Sequence, residues 1–442
     1  MKYYSLNYNS SSVGFLEAVR KGLAPDKGLY YPETLPTLSK DFIEHIPEMS
    51  AHELAFHAIA PFVGDDIPKD RLKTIVEETL SFDFPIVPIT QSVASLELFQ
   101  GPTLAFKDVG ARFMARCLAY AHEVKEQKKL TILVATSGDT GGAVADGFYK
   151  VNGIDVVILY PKGKVSEVQE KQLTTLGENI TALEVEGTFD NCQSMVKAAF
   201  IDPELSPKVA LTSANSINIA RWLAQMFYYF IAYQNRPNPD KDLVVSVPSG
   251  NFGNLCAGLM AQQMGLPITH FIASTNVNDT VPSYLNSGNY EPKKSVSTLS
   301  NAMDVGDPSN FIRIQKLFNN DFYKLKKIIT GFAFTDAQTK KALQEIYSTS
   351  NYIADPHGAV SYLGLKAYLN LHEKDNLQGI FLETAHPIKF APTVESTLKI
   401  KLEAPPQVES LLDKPKLSLP IRNYNDLKVF FLSANPRSRE VA

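Results

Sequence analysis

The stretch GPTLAFKDVGARFM (101–114) sets a lysine, Lys107, among apolar residues just after a Gly-Pro turn. The strand-like SLELF (95–99) leads into it, and Gln100-Gly101-Pro102-Thr103 makes the turn. A helix from about Ala105 then places Lys107 in a first helical turn. A cation there opposes the helix dipole, and an amine in apolar surroundings gives up its proton more readily, leaving a nucleophile able to attack a carbonyl. The same lysine also suits a surface position, its stem lying over Phe106. The rest of the chain decides between the two.

Outward from this stretch, short apolar runs alternate with helical patterns: LTILVAT (130–136), IDVVILYP (154–161), KVALTS (208–213), LVVSVP (243–248), ITHFIAST (268–275) and GIFLET (379–384). That alternation predicts an α/β fold with parallel sheets. SINIARWLAQMFYYFIAY (216–233) puts Ile217, Ala220, Ala224, Phe227 and Ile231 on one helical face, and the proline-rich QNRPNPDKD (234–242) reads as a connection between subdomains. AHELAFHAIAPF and PKDRLKTIVEETLSF are helical without intervening strands. The expected division is an N-terminal helical region over 1–84, a large α/β domain from 85–109 and 240–442, and a small one over 110–239.

The 442 residues suffice for two or three subdomains, and the net charge of −4, with 20% charged and 44% hydrophobic residues, shows no basic surplus for nucleic acid. The start MKYYSLNYNSSSVGF has no long apolar run or small-residue cleavage pattern and is not expected to be a signal peptide, and no apolar run reaches spanning length. Cys117, Cys192 and Cys256 are widely spaced and form no CxxC pair, so they read as buried thiols in a reducing compartment. A cytoplasmic protein without a metal or membrane partner is expected.

Two loops are suited to anions. In LVVSVPSGNFGNLCAGLMAQQM (243–264) a strand, a Gly/Asn/Ser loop and a helix opening near Asn254 offer unpaired N–H groups, and Gly250 and Gly253 admit a phosphate. Neither common nucleotide fingerprint fits, so a phosphate outside a dinucleotide is expected. In LTILVATSGDTGGAVADGF the loop after the strand carries Thr136, Ser137, Asp139 and Thr140 with three glycines. Asp139 argues against a dianion, and a substrate carboxylate suits the hydroxyls better. Each loop reads equally as an ordinary capped turn.

GPTLAFKD, TSGDTGG and PSGNFGN, in this order and separation, resemble the pyridoxal-phosphate enzymes of the tryptophan-synthase β fold, and among them the threonine synthase family. The resemblance spans nearly the whole chain: GLAPDKGLYYPETLP (22–36), NSIN (215–218), NAMDVGDPSNF (301–311), ADPHGAV (354–360) and ETAHPIKF (383–390) are similar to that family's segments. It departs at GDPSNF, where the family often shows Asn or an aromatic in place of Asp307 and Phe311.

The resemblance implies pyridoxal 5'-phosphate as cofactor and Lys107 as the catalytic lysine joined to its aldehyde. It assigns the cofactor phosphate to Gly250, Asn251, Phe252, Gly253 and Asn254, and the hydroxyl facing the ring nitrogen to Thr384. It implies conversion of O-phospho-L-homoserine and water to threonine and phosphate by a monomer or homodimer, with Thr136, Ser137, Asp139 and Thr140 around the substrate. Another lyase or dehydratase of the same fold, or a non-catalytic phosphate-binding protein, are the alternative readings. Arg112, Lys162, Lys164, Arg221 and Arg313 are candidates for the leaving phosphate, against the plainer reading of solvated or structural cations. His357, His386, Asp108 and Trp222 read as structural.

Overall fold

The computed structural model describes residues 1–125, 129–372 and 376–433. One sheet is built from β4 (Ile86–Pro88), β5 (Val93–Glu97), β10 (Asp242–Pro248), β11 (His270–Thr275), β12 (Ile329–Ala333) and β13 (Leu377–Glu383). Its order is β12-β11-β10-β13-β5-β4, with neighbours parallel except the edge pair β4 and β5. A second sheet holds β6 (Leu130–Ala135), β7 (Ile154–Pro161), β8 (Ile180–Val185), β9 (Ala210–Thr212) and β14 (Ser418–Ile421) in the order β14-β8-β7-β6-β9, all parallel.

The continuous apolar runs are strands covered on both faces, and the two-residue period sorts them. On β10, Val244 joins Ile272, Phe381 and Leu343 in one cluster, while Val245 and Val247 join Phe271, Ala273 and Ile380 in the other. The helices Asp336–Ser350 and Pro356–Leu371 cover the first face, and Gly253–Met264 covers the second. In the second sheet Leu133, Val157 and Leu183 meet Cys192, Val196 and Leu427 on one side, and Ile132, Val156 and Ile158 enter the main core on the other.

Three parts of the expected division look different. The first 84 residues contain helices, but also a small antiparallel sheet of β1 (Lys2–Ser5), β2 (Val13–Gly14) and β3 (Tyr30–Pro32). β14, expected with the large domain, extends the small sheet, because its Leu419 and Ile421 fill the apolar face beyond β8. The continuous helix expected over 216–233 is two helices, Ile219–Leu223 and Phe227–Gln234, joined by one 3₁₀ turn. Its aromatic side chains lie against the large sheet: Tyr229 meets Phe271 with ring centroids 5.6 Å apart. Among the described residues no helix is long and apolar enough to cross a membrane.

Candidate active site

β5, β13 and β10 lie side by side and parallel, so the chain leaves all three at one edge of the sheet, where open α/β sheets place their ligands. After β5 it turns through Gly101 to Phe106 and enters the helix Lys107–Lys125. After β13 it passes Thr384 to His386. The two segments are stitched together: Phe106 N–H donates to the Thr384 carbonyl at 2.9 Å, His386 N–H donates to the Leu104 carbonyl at 3.1 Å, and Ala105 bridges Ala385. Lys107 and Thr384 are thereby fixed beside each other. Leu104 sits at φ 59°, a left-handed conformation for a branched residue, and these bonds hold it there.

Lys107 is half-buried, and burial lowers its amine to a pKa of about 8; the Asp139 carboxylate opposes that shift, while Arg221 and Lys389 add to it. About a tenth of such an amine is uncharged at pH 7. Its neighbour Asp108 is buried and accepts from both the Thr103 N–H, at 2.9 Å, and the Thr103 hydroxyl. Burial outweighs those bonds and brings Asp108 up to about 6. Asp108 closes the turn, as its place at a helix start implies, and a Cβ on Gly101 would stand 2.5 Å from its carboxylate.

At the end of β10, Ser249 N–H donates to the Ser274 carbonyl at 2.8 Å, and the helix Gly253–Met264 begins four residues on. Phe252, at φ 61° and ψ 13°, turns the chain into that helix and is backed by Phe311, whose ring lies 6.0 Å away. Phe311 stacks in turn on Tyr290, and Tyr290 donates to Asp307 at 2.9 Å, so Asp307 and Phe311 of the GDPSNF segment both support this loop. Asn251 is exposed and accepts from Ser309 N–H at 3.3 Å. Asn254 is buried: its Oδ1 takes the Tyr229 hydroxyl at 2.8 Å, but its Nδ2 has no partner among the described residues. A buried amide donor left over at a helix N-terminus suits an anion such as the cofactor phosphate.

The loop after β6 differs from expectation in its inner residues. Thr136 turns its hydroxyl inward and accepts from Gly138 N–H at 3.0 Å and Gly141 N–H at 2.8 Å, so it shapes the loop. Asp139 is also occupied: Lys389 Nζ lies 2.8 Å and Gln169 Nε2 3.0 Å from its Oδ1. Burial would raise that carboxyl, yet Lys389 and Lys107 hold it well below the usual range. Ser137 and Thr140 are half-buried and their hydroxyls make no hydrogen bond among the described residues.

Lys389 was legible only as part of ETAHPIKF. It is buried to 1% exposure and also donates to the Thr103 carbonyl at 2.7 Å, which Gln172 Nε2 shares at 2.9 Å. The signal that singles out Lys107, a lysine among apolar residues, is present in PIKF as well.

Of the other cations, Arg313 stacks over Trp222 and gives its donors to Tyr30, Ile217 and Asn310; Arg112 donates to Glu78 and Ser81; Lys162 and Lys164 are exposed. Arg221 is buried and donates to the Ala214 carbonyl, but its Nε is unpartnered among the described residues. His386 caps a 3₁₀ turn through Nδ1, and burial beside Lys389 lowers it to about 4.

Comparison with known proteins identifies the family. Residues 90–380 match the model of the pyridoxal-phosphate dependent enzymes, so the chain is a pyridoxal-phosphate enzyme, built here on one wholly and one mainly parallel sheet. Residues 2–80 match the threonine synthase N terminus and 361–429 the threonine synthase C-terminal model. Threonine synthase of Buchnera aphidicola subsp. Baizongia pistaciae is 46% identical over 98% of this chain and 100% of its own. The crystal structure of threonine synthase from Escherichia coli superposes with a TM-score of 0.90 at 43% identity, covering 98% of this chain and 99% of that one. The pyridoxal-phosphate-bound threonine synthase from Brucella melitensis does so at 0.90 and 32%, covering 98% of both. The chain belongs to the threonine synthase family.

Proposed function

We infer that this enzyme converts O-phospho-L-homoserine and water to L-threonine and phosphate, with pyridoxal 5'-phosphate held at the edge shared by β5, β13 and β10. The observation that carries the reading is the backbone stitching of 104–106 to 384–386, which brings Lys107, an amine of lowered pKa, and the buried Thr384 together at one edge of the sheet.

In this reading Lys107 would carry the cofactor aldehyde, Gly250 to Asn254 would hold its phosphate, and Thr384 would supply the hydroxyl for its ring nitrogen. The cofactor, when bound, supplies the acceptor for the negative charge left at the substrate's Cα. Thr384 offers the ring nitrogen only a hydroxyl, which does not stabilise full positive charge there as a carboxylate does. Once the substrate's amino group displaces it from the aldehyde, Lys107 would be free to take the Cα proton and move protons at Cβ and Cγ; phosphate leaves from Cγ, water adds at Cβ, and a proton returned to Cα completes threonine.

Ser137, Thr140 and the N-terminus of the helix Asp139–Gly147 hold the substrate carboxylate. Lys389 assists by neutralising Asp139, which would otherwise repel it. The three buried free cysteines suit a reducing cytosol.

Product analysis tests the reading. With O-phospho-L-homoserine the protein should release phosphate and threonine in equal amounts, and with serine it should form little keto acid. Dominant keto-acid formation would move it to the dehydratases of the same fold.

A further inference from the structure

A chain of buried polar groups lies behind the cofactor loops. Asp355, His357 and Glu383 are 0%, 2% and 0% exposed. Asp355 N–H donates to Glu383 Oε2 at 3.2 Å, and His357 Nδ1 stands 2.5 Å from Asp355 Oδ1. At its far edge His357 Nε2 accepts the Ala302 N–H at 3.2 Å, which places the ring proton on Nδ1, facing Asp355. Burial and the Asp355 charge push Glu383 well above the carboxylate range.

The two ends of this chain meet the two cofactor loops. Glu383 precedes Thr384, and a Cβ on Gly358 would lie 1.9 Å from Glu383 Oε1, so only glycine leaves room for that carboxyl. Ala302 belongs to the 3₁₀ turn Asn301–Met303, and its carbonyl oxygen would stand 2.6 Å from a Cβ on Gly250. A buried polar row is a costly way to fill a core, since apolar side chains of similar volume do so without desolvating charge. What it provides is direction: His357 takes the N–H of the same residue whose carbonyl abuts Gly250.

We propose that His357 is a positioning residue for the cofactor phosphate, its Nε2 holding the 301–303 turn against Gly250 in the ring orientation that Asp355 sets by taking the Nδ1 proton. The inference rests on the reading that 249–254 holds the phosphate.

Two variants separate the edges of the ring: His357→Asn keeps a donor near the Nδ1 position, and His357→Gln keeps an acceptor near Nε2. Pyridoxal phosphate is titrated into cofactor-free protein, and the phosphorus-31 resonance of the bound cofactor and the melting temperature are recorded. His357→Asn should weaken cofactor binding about tenfold and shift the resonance, the loss of one buried hydrogen bond, while His357→Gln stays within about threefold of the parent. Parental affinity and resonance in His357→Asn, or equal weakening in both variants, would overturn the proposal in favour of a structural role. If His357→Asn does not fold, the glutamine variant decides: a tenfold loss there overturns it. Gly250→Ala tests the underlying reading separately. Should Gly250→Ala leave binding and resonance unchanged, the phosphate is not at 249–254; should it alone perturb them, only the role of His357 fails.

Discussion

At Gly250 and Asn251 the loop after β10 is hemmed in by backbone, the Ala302 carbonyl and Met303 Cα facing Gly250 and Asn310 N–H donating to the Asn251 carbonyl at 3.2 Å, while Gly253 faces the Asn310 side chain. At 136–141 the loop after β6 is shaped by its own Thr136 hydroxyl, and its glycines face side chains, Gln169 for Gly138 and Leu173 for Gly141. Backbone yields little, whereas side chains change rotamer. Both loops offer a helix N-terminus, and the difference in their walls supports the assignment we propose, a resident group at the first and a ligand that comes and goes at the second. The second is joined to the large sheet's side by the Asp139–Lys389 pair, both partners buried. Breaking such a pair from one side costs about 3–5 kcal/mol, because it strands the other charge.

The largest effect should come from Lys107, to which we assign a part in both seats. Lys107→Ala leaves the 249–254 loop and Thr384 intact, so pyridoxal phosphate should still bind, but without a borohydride-reducible attachment. Turnover should fall about a thousandfold or more for loss of the proton carrier. Peptide mapping of the reduced parent should find the pyridoxyl group on Lys107. An adduct elsewhere, or substrate Cα exchange with deuterated water at near-parental rate in the variant, would assign the chemistry to another residue.

A pair of glycine replacements tests the walls themselves. Gly250→Val meets the Ala302 carbonyl at 2.6 Å and should lose cofactor on dialysis, with affinity down about tenfold or more. Gly141→Ala meets Leu173 Cδ2 and Thr136 Cγ2 at the same 2.6 Å, but these can shift; cofactor affinity should hold while KM rises, with a stability loss of about 1–3 kcal/mol. If Gly141→Ala released the cofactor and Gly250→Val did not, the two seats would have to be exchanged.

Much of this arrangement was legible because local pattern carries it. IDVVILYP is β7 to the residue, and GPTLAFKD marks the turn and helix start that orient Lys107. β8 (ITALEV), β12 (ITGFA) and β14 (SLPI) escaped notice, since a polar interruption, a glycine and a proline dilute the apolar run that marks a buried strand. The inward turn of Thr136 and the meeting of Asp139 with Lys389, 250 positions further along the chain, are products of tertiary packing. No local period encodes either. Expecting Asp139 among the substrate's partners followed from its loop; that its carboxylate is already occupied follows only from the fold.

The smallest effects concern the proton on Lys107, and here the sign is the test. Burial brings its amine down to about 8, so in cofactor-free protein its rate of acylation, located by peptide mapping, should reach half its maximum near pH 8. Below that pH the ammonium dominates; above it the free amine does. Asp139 favours the ammonium and Lys389 disfavours it, the carboxylate having the larger influence. Asp139→Asn should therefore move the midpoint down, and Lys389→Met should move it up. Each single change strands a buried charge and lowers stability, so the decisive variant carries both. With the pair removed together no charge is left unpaired, and the midpoint should move down by less than in Asp139→Asn, since the larger raising influence and the smaller lowering one are lost at once. A midpoint near that of an exposed lysine in the parent would mean that the amine is not enclosed as described. An upward shift in the double variant would mean that Lys389, rather than Asp139, governs the proton, making the 136–141 loop a bystander to the chemistry of Lys107.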